Sequence, residues 1–342
     1  MPVSPSSSLP PLVTLRPWIE RFSGIRVAVW GDIVADRFLY GSTTRVSREA
    51  PALVLCYESE EVRPGGAANA MMNAAGLGAR VTAMGYLGEE NVGKTLRSAL
   101  TAGGVSTDEL ILRQDAHTPV KTRVMAGGHH TVRQQVLRID EDQPWPRNEE
   151  TEQRLVGALA AGLDNIDAML ISDYGLGSVD GSLYSELHGH LGKRSLPVTL
   201  DSRSALLEFR GVTAATPNEA EVERAMMVQL DGHPENLQPA GEELLDRLGC
   251  EALLITRGSC GMTVFERSGP TVHLPIHGSD QIADVTGAGD AVIAVFTLGL
   301  AAGATTLEAA RLANVVGGLA VMKRGTATIS QQELAEAVER GS

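Results

Sequence analysis

The sequence predicts an α/β protein with a central, mostly parallel sheet, helices on both faces and a small additional β-sheet, on three observations. Ile25-Arg-Val-Ala-Val-Trp30 is an apolar run that stops at Gly31-Asp32, as an early buried strand would. From residue 151 onward, helical periodicity alternates with short aliphatic runs, which is the pattern of strands joined by crossover helices. Two stretches, 37–64 and 117–140, are β-branched or alternating without helical period and read as a small sheet inserted into the larger fold.

Taken in order, residues 1–20 read as a flexible N-terminal extension, because MPVSPSSSLPP is rich in Ser and Pro and lacks the basic start and apolar centre of a secretory signal. Residues 21–340 form the folded domain. After the first strand, Pro64-Gly-Gly-Ala-Ala-Asn69 opens a helix of small residues that can lie close to a sheet or a ligand. Val81 to Leu87 reads as a strand and 91–103 as a helix. Helices over 151–163, 181–193 and 239–248 precede the strands Ala168-Met-Leu-Ile-Ser172, Pro197-Val-Thr-Leu200 and Ala252-Leu-Leu-Ile-Thr256. Ala291 to Leu300 is an apolar helix. Ligands of such sheets sit at the carboxyl ends of the strands, where this chain has Asp32, Asp36, Asp173, Asp201 and Thr256.

A chain of 342 residues, 43% hydrophobic, has ample material for a core. The formal net charge of -13 argues against nucleic acid or an anionic membrane as partner, since both are approached through basic surfaces. Three widely spaced cysteines, Cys56, Cys250 and Cys260, suit reduced thiols in a cytoplasm. His129-His130 and the pair His188 and His190 lack the ligand spacing of a structural zinc site and read as surface histidines.

Two stretches could hold phosphate. Gly88-Glu-Glu-Asn-Val-Gly-Lys-Thr95 fits the pattern GxxxxGK[ST], but Glu89 and Glu90 would repel a polyphosphate at short range. Asp284-Val-Thr-Gly-Ala-Gly-Asp290 runs into the apolar helix and would offer backbone N–H groups at the positive end of its dipole. Asp290 there makes sense as a base taking a proton from a hydroxyl while the N–H groups of Gly287, Ala288 and Gly289 steady a transferring phosphoryl group. An Asp cap on a buried helix is the alternative reading.

DVTGAGD, PGGAAN (64–69) and TPNEAE (216–221) resemble the signature elements of the ribokinase family of sugar kinases, in order from about Ile25 to Ala335. Within that family GDIVADRFLYG, TTRVSREAP, RPGGAANAMMNAAGLGA, TPVKTRVMA, LRID and ISDYGLG match the kinase domain of bacterial heptose-7-phosphate kinases. The resemblance implies a ribokinase-like fold whose small sheet, 37–64 and 117–140, is a lid and a homodimer contact. It implies ATP and Mg²⁺ as cofactors, with Asp290 as base and Gly287, Ala288 and Gly289 as anion hole. Asn218 and Glu221 would organise the phosphates, Glu221 reaching magnesium through water; Thr256, Gly258, Gly261 and Arg203 would also serve the nucleotide.

On the sugar side the resemblance points to Asp36, Gly65, Gly66, Asn69 and Asp173, with Arg123 and Arg138 for a phosphate on the acceptor; Lys121, Arg133 and Arg45 are further candidates. Asp284 and Thr286, with carbonyls near 323–326, would hold a monovalent cation such as K⁺. The resemblance places a Gly-acidic-x-x-Gly turn before a helix at the position of Gly88 to Thr95, so Glu89 and Glu90 are expected there, the P-loop match is fortuitous and Lys94 dispensable.

Two departures stand out: Leu176 replaces an expected lysine, and Asp201-Ser-Arg203 replaces Asp-Pro-Lys. A His-x-Gly-His element, found in the nucleotidyltransferase domain fused to some relatives, is missing, so a stand-alone kinase is expected. The expected activity is transfer of the γ-phosphoryl group of ATP to a sugar hydroxyl, O1 of D-glycero-β-D-manno-heptose 7-phosphate. The alternatives are a kinase for fructose, ribose or a nucleoside, or a non-catalytic sugar sensor on the same fold. The low aromatic content, 4%, disfavours a stacked nucleoside, and a dinucleotide oxidoreductase fails for want of GxGxxG after the first strand.

Overall fold

The computed structural model describes residues 9–127, 133–191, 196–230, 232, 234–278, 284–323 and 325–341. Residues 1–8 of the expected extension and the pair His129-His130 lie outside the described residues. The rest of the leading segment packs: a 3-10 turn (Leu12–Leu15) runs into α1 (Arg16–Glu20), and Leu15 and Ile19 are buried in the core.

The first half of the chain runs β1 (Arg26–Gly31), β2 (Ile33–Val46), β3 (Leu53–Gly66), α2 (Ala67–Gly76), β4 (Arg80–Gly88) and α3 (Asn91–Ala102). It continues with β5 (Val105–Ser106), β6 (Leu110–Arg113), β7 (Val120–Gly127) and β8 (Gln134–Glu141). The second half alternates α4 (Glu149–Gly162), β9 (Ala168–Asp173), α5 (Gly181–Leu191), β10 (Val198–Ser202), β11 (Ala214–Ala215), α6 (Glu219–Met226), α7 (Pro234–Leu248) and β12 (Ala252–Thr256). It ends with β13 (Met262–Glu266), β14 (Val272–Leu274), α8 (Ala288–Ala301), α9 (Thr306–Val321) and α10 (Gln331–Arg340).

Local chemistry explains the boundaries. Asn148 accepts the Thr151 N–H at 2.9 Å and three glutamates follow in the first turn, so α4 starts at 149, two residues before its periodicity suggests. Reciprocal capping boxes, Thr305 with Glu308 and Ser330 with Glu333, open α9 and α10. α7 begins at Pro234, where a missing N–H is harmless, and not at Pro239, which lies inside the helix.

Among the described residues ten strands form one sheet, ordered β14-β13-β12-β11-β10-β9-β1-β4-β5, with β6 also paired to β4. β1, β4, β9, β10, β11 and β12 run parallel, while β13 and β14 add an antiparallel edge that the alternation pattern did not announce. Alternate β1 residues face two cores. Val27 and Val29 pack with α2, α8 and α9, whereas Ala28 and Trp30 pack with α4, α5 and α7. The small sheet is separate, ordered β3-β2-β7-β8.

This topology places the site. β1 is flanked by β4 on one side and β9 on the other, so the strand order reverses at its carboxyl end and opens a crevice there. β2 leaves from that point toward the small sheet, and β3 returns to it at Gly66, where α2 begins. α8 is apolar all round and buried from Asp290 to Gly299, as a helix inside the molecule must be.

Candidate active site

Asp32, at the end of β1, is fully buried and accepts the N–H groups of Tyr174 (2.9 Å), Leu176 (3.0 Å) and Ser178 (3.0 Å), with the Ser178 hydroxyl at 2.6 Å. Its carboxylate shapes the loop after β9. Asp173 is also buried; its oxygens accept the Ser202 hydroxyl at 2.6 Å and the Gly175 N–H at 2.8 Å, and burial pushes its pKa up to about 6. It therefore braces the loop against β10. Leu176, where a lysine was expected, is buried, and its carbonyl accepts the Trp145 N–H at 2.7 Å.

Asp290 stands in the first turn of α8, 3% exposed. Its Oδ2 accepts the Asn69 side-chain N–H at 2.8 Å and its Oδ1 the Tyr174 hydroxyl at 2.7 Å. Burial raises its pKa to about 6, against the pull of Asn69, Tyr174 and Arg203. Asn69 is held in turn by Asn73, whose amide donates to its Oδ1 at 3.1 Å, and Asn73 Oδ1 accepts the Ile329 N–H at 3.1 Å. Behind Tyr174, the Arg203 guanidinium lies 4.7 Å from the ring centroid and its Nη2 is 3.4 Å from the hydroxyl.

Gly287 precedes Ala288 with φ +77°, the left-handed conformation that favours glycine. Ala288 donates its N–H back to the Val285 carbonyl at 3.3 Å. The N–H groups of Gly289 and Asp290 follow in the first turn, where no helical carbonyl lies behind them, and a Cβ on Gly289 would meet open space. An apolar pocket adjoins this turn, walled by Met262, Ile276 and Val292 and bordered by Thr256, Gly258, Gly261, Ala288 and Gly289.

Asn314, Gly317 and Gly318 of α9 line the same pocket and escaped the sequence reading. A signal existed, since paired glycines inside a helix weaken it by about 1 kcal/mol each and need a reason. A Cβ on Gly318 would overlap the His277 carbonyl. Asn218 and Glu221 make a capping box: Glu221 Oε2 accepts the Asn218 N–H at 2.8 Å and Asn218 Oδ1 the Glu221 N–H at 2.9 Å. Asn218 also bridges to Thr256, joining this turn to the pocket rim. Asp201 is raised by burial and by Glu221 beside it, and Glu221 is raised chiefly by burial.

On the small-sheet side, Asp36 and Arg123 form a buried ion pair at 2.5 Å. Gly65 is required beside it, because a Cβ there would come within 2.6 Å of Asp36 Oδ2. Gly66, the N-cap of α2, has φ +55°. Arg138 is engaged by Asp140 through two bonds of 2.7 and 2.5 Å. Lys121 lies 5.2 Å from the Tyr174 ring, and burial, Arg203 and Arg138 lower its pKa. Asp284 closes the opposite rim, accepting the Thr286 and Gly325 N–H groups at 2.9 Å each; Arg324 lies outside the described residues.

The P-loop match has no cradle. Glu90 turns inward to cap α3, accepting the N–H groups of Gly93 and Thr118 at 3.1 Å each. Those bonds outweigh burial and keep its pKa below the usual carboxylate range. The place a phosphate would take is filled by a carboxylate, and Lys94 is exposed.

Among the described residues no helix is long and apolar enough to cross a membrane, and no cluster of three or more His, Cys, Asp or Glu side chains is arranged to hold a metal by itself. The chain is 38% identical over 321 residues to the bifunctional protein HldE of Trichlorobacter lovleyi, covering 93% of this chain and 64% of that protein. It is 37% identical over 326 residues to its counterpart in Citrifermentans bemidjiense, covering 95% and 66%. It thus spans just under two thirds of the length of these relatives. In fold it is similar to Arabidopsis thaliana ribokinase complexed with ribose and ATP, with TM-score 0.70 and 20% identity over 93% of this chain and 99% of that one. The fold is also that of Escherichia coli phosphofructokinase-2 in complex with potassium, with TM-score 0.74 and 18% identity over 93% and 99%. Residues 25–333 match the pfkB family of carbohydrate kinases, and the chain belongs to that family.

Proposed function

We propose that this protein transfers the γ-phosphoryl group of ATP to a sugar hydroxyl, and that the acceptor is O1 of D-glycero-β-D-manno-heptose 7-phosphate. The observation that carries the reading is Asp290, a buried carboxylate held by two donors in the first turn of α8, beside helix N–H groups and an apolar pocket. The acceptor O–H bond breaks and its proton passes to Asp290 as the new O–P bond forms. The P–O bond to the β-phosphate breaks and its electron pair leaves on ADP. Gly289 and Asp290 N–H groups meet the charge on the moving phosphoryl group.

Magnesium, when bound, neutralises the phosphate oxygens. Glu221 would hold it through water, and the mutual repulsion of Asp201 and Glu221 fits a nearby divalent cation. Asp284 and Thr286 would serve a potassium ion, next to the buried, unpartnered Thr326 hydroxyl. Asp36, Gly65, Gly66 and Asn69 would hold the sugar, Lys121, Arg123 and Arg138 would draw its phosphate, and Arg203 would serve the nucleotide. Asp173 would act indirectly, through the loop it braces.

The small sheet would close over the sugar as a lid. Its exposed Val46, Leu53, Tyr57, Leu137 and Ile139 support a second copy of this chain as the partner of that face.

A kinase for an unphosphorylated sugar is favoured by one observation. Leu176 removes a positive charge, and Arg123 and Arg138 are each already paired with an aspartate. ADP release with ATP and magnesium separates the readings on heptose 7-phosphate, fructose, fructose 6-phosphate, ribose, adenosine and a blank. Turnover on heptose 7-phosphate alone supports the first reading. Turnover only on a free sugar keeps the kinase and replaces its acceptor.

A further inference from the structure

We infer that Tyr174 is a positioning residue for the phosphoryl-transfer base: its hydroxyl holds the Asp290 carboxylate in its ionised form and in one orientation. The inference rests on the kinase reading for its catalytic meaning, but its physical content is testable without any substrate.

The geometry is specific. A tyrosine hydroxyl has one hydrogen, and here it is committed to Asp290 Oδ1 at 2.7 Å. Asn69 donates to the other oxygen, so both bonds favour the charged carboxylate. The oxygen of Tyr174 faces Arg203 Nη2 at 3.4 Å, so the guanidinium acts on Asp290 through the phenol. The ring itself lies near two cations, Arg203 at 4.7 Å and Lys121 at 5.2 Å from its centroid. Its backbone is pinned, because the Tyr174 N–H donates to Asp32 at 2.9 Å while the Arg203 N–H donates to the Asp173 carbonyl at 3.0 Å.

The other groups around the base do not substitute for this bond. From α2, Asn69 serves only Oδ2. From the small sheet, Asp36 opposes ionisation of Asp290 but is paired with Arg123. Burial and then Asp290 raise the pKa of the Tyr174 hydroxyl; at and just past the end of β10, Asp201 raises it further and Arg203 lowers it. With the hydroxyl removed, Oδ1 loses its donor inside a site that burial already makes unfavourable to charge. The carboxylate would then hold its proton to higher pH, and a protonated Asp290 cannot accept the hydrogen of a sugar hydroxyl.

Tyr174→Phe tests this, since it keeps the ring and its cation contacts. In protein labelled with ¹³C at the aspartate carboxyl carbon, the resonance missing from Asp290→Asn identifies Asp290. Its titration midpoint should rise by about one pH unit in Tyr174→Phe, the worth of one hydrogen bond to a charged group. In turnover, the acidic limb of kcat against pH should move up with it. The rate should fall about fivefold at pH 6, recover to within about twofold at pH 9, and leave the sugar KM within about twofold. A merely structural role would lower kcat at every pH and leave the carboxyl midpoint unchanged, and that result overturns the inference. A shifted midpoint in a protein that turns over no sugar would sustain the Tyr174 contact and discard the kinase reading instead.

Discussion

The side-chain amide of Asn69 donates to both the carbonyl of Gly287, at 3.1 Å, and Oδ2 of Asp290, at 2.8 Å, tying α2 to the first turn of α8 through one nitrogen. Two segments 218 residues apart meet there. The arrangement has no spare room: Gly287 holds φ +77°, and a Cβ on it would overlap that same nitrogen.

Gly287→Ala should therefore do two things at once. The left-handed backbone and the overlap should cost about 1–3 kcal/mol of stability. Displacing Asn69 should lower kcat at least tenfold, as misplaced catalytic geometry does. Thermal denaturation and steady-state kinetics on the same preparation check both; an unchanged kcat would mean that Asn69 does not need this position.

Asp290→Asn should lower turnover about 10³-fold, within the usual worth of a general base, while calorimetry still detects ATP binding. Its stability should move the other way. The folded pKa of Asp290, about 6, lies above its ordinary value of 3.8, so the folded state binds more protons across that window. The stabilising effect of that proton is complete below about pH 4 and lost as pH rises through about 6. Asparagine escapes the loss. The stability difference between Asp290→Asn and the parent, measured by thermal denaturation at each pH, should grow in favour of the variant from pH 5 to pH 8, by about 1 kcal/mol. A difference that stays flat with pH would show that Asp290 does not titrate in this range.

Lys94→Ala should leave ATP binding and turnover unchanged and alter stability by less than about 0.5 kcal/mol, since Lys94 is exposed. Glu90→Ala should cost about 1–2 kcal/mol, because it strips the cap from α3 and leaves the N–H groups of Gly93 and Thr118 unanswered. Loss of ATP binding in folded Lys94→Ala would restore the phosphate-loop reading.

The exposed apolar residues of the small sheet predict self-association. Leu137→Asp with Ile139→Asp should halve the mass measured by light scattering and leave the circular dichroism spectrum intact, since both side chains are exposed. A parent protein already monomeric at tens of micromolar would remove the second copy from consideration.

Much of this molecule is local in origin and so was legible in the sequence. β1, β9, β10 and β12 are short aliphatic runs, and α4 and α5 carry helical period, because each element's own residues must match the side of the sheet they meet. DVTGAGD could be read as a turn that opens an apolar helix with Asp290 in its first turn, because its residues act within one turn of chain. What only the tertiary structure decided is whatever depends on meeting across the fold. Tyr174 carries no local mark of its role; it reaches Asp290 because Asp32 folds the loop after β9 back over β1. Asn73 acts through Asn69, and Gly317 and Gly318 matter because α9 packs beside the pocket. Glu90 shows the converse. Its stretch satisfies a phosphate-loop spelling, yet its carboxylate turns in to meet the N–H of Thr118, 28 residues on. Pattern sets which groups are present, and long-range packing sets which of them face one another, because the energy of a buried polar contact depends on partners the local chain does not contain.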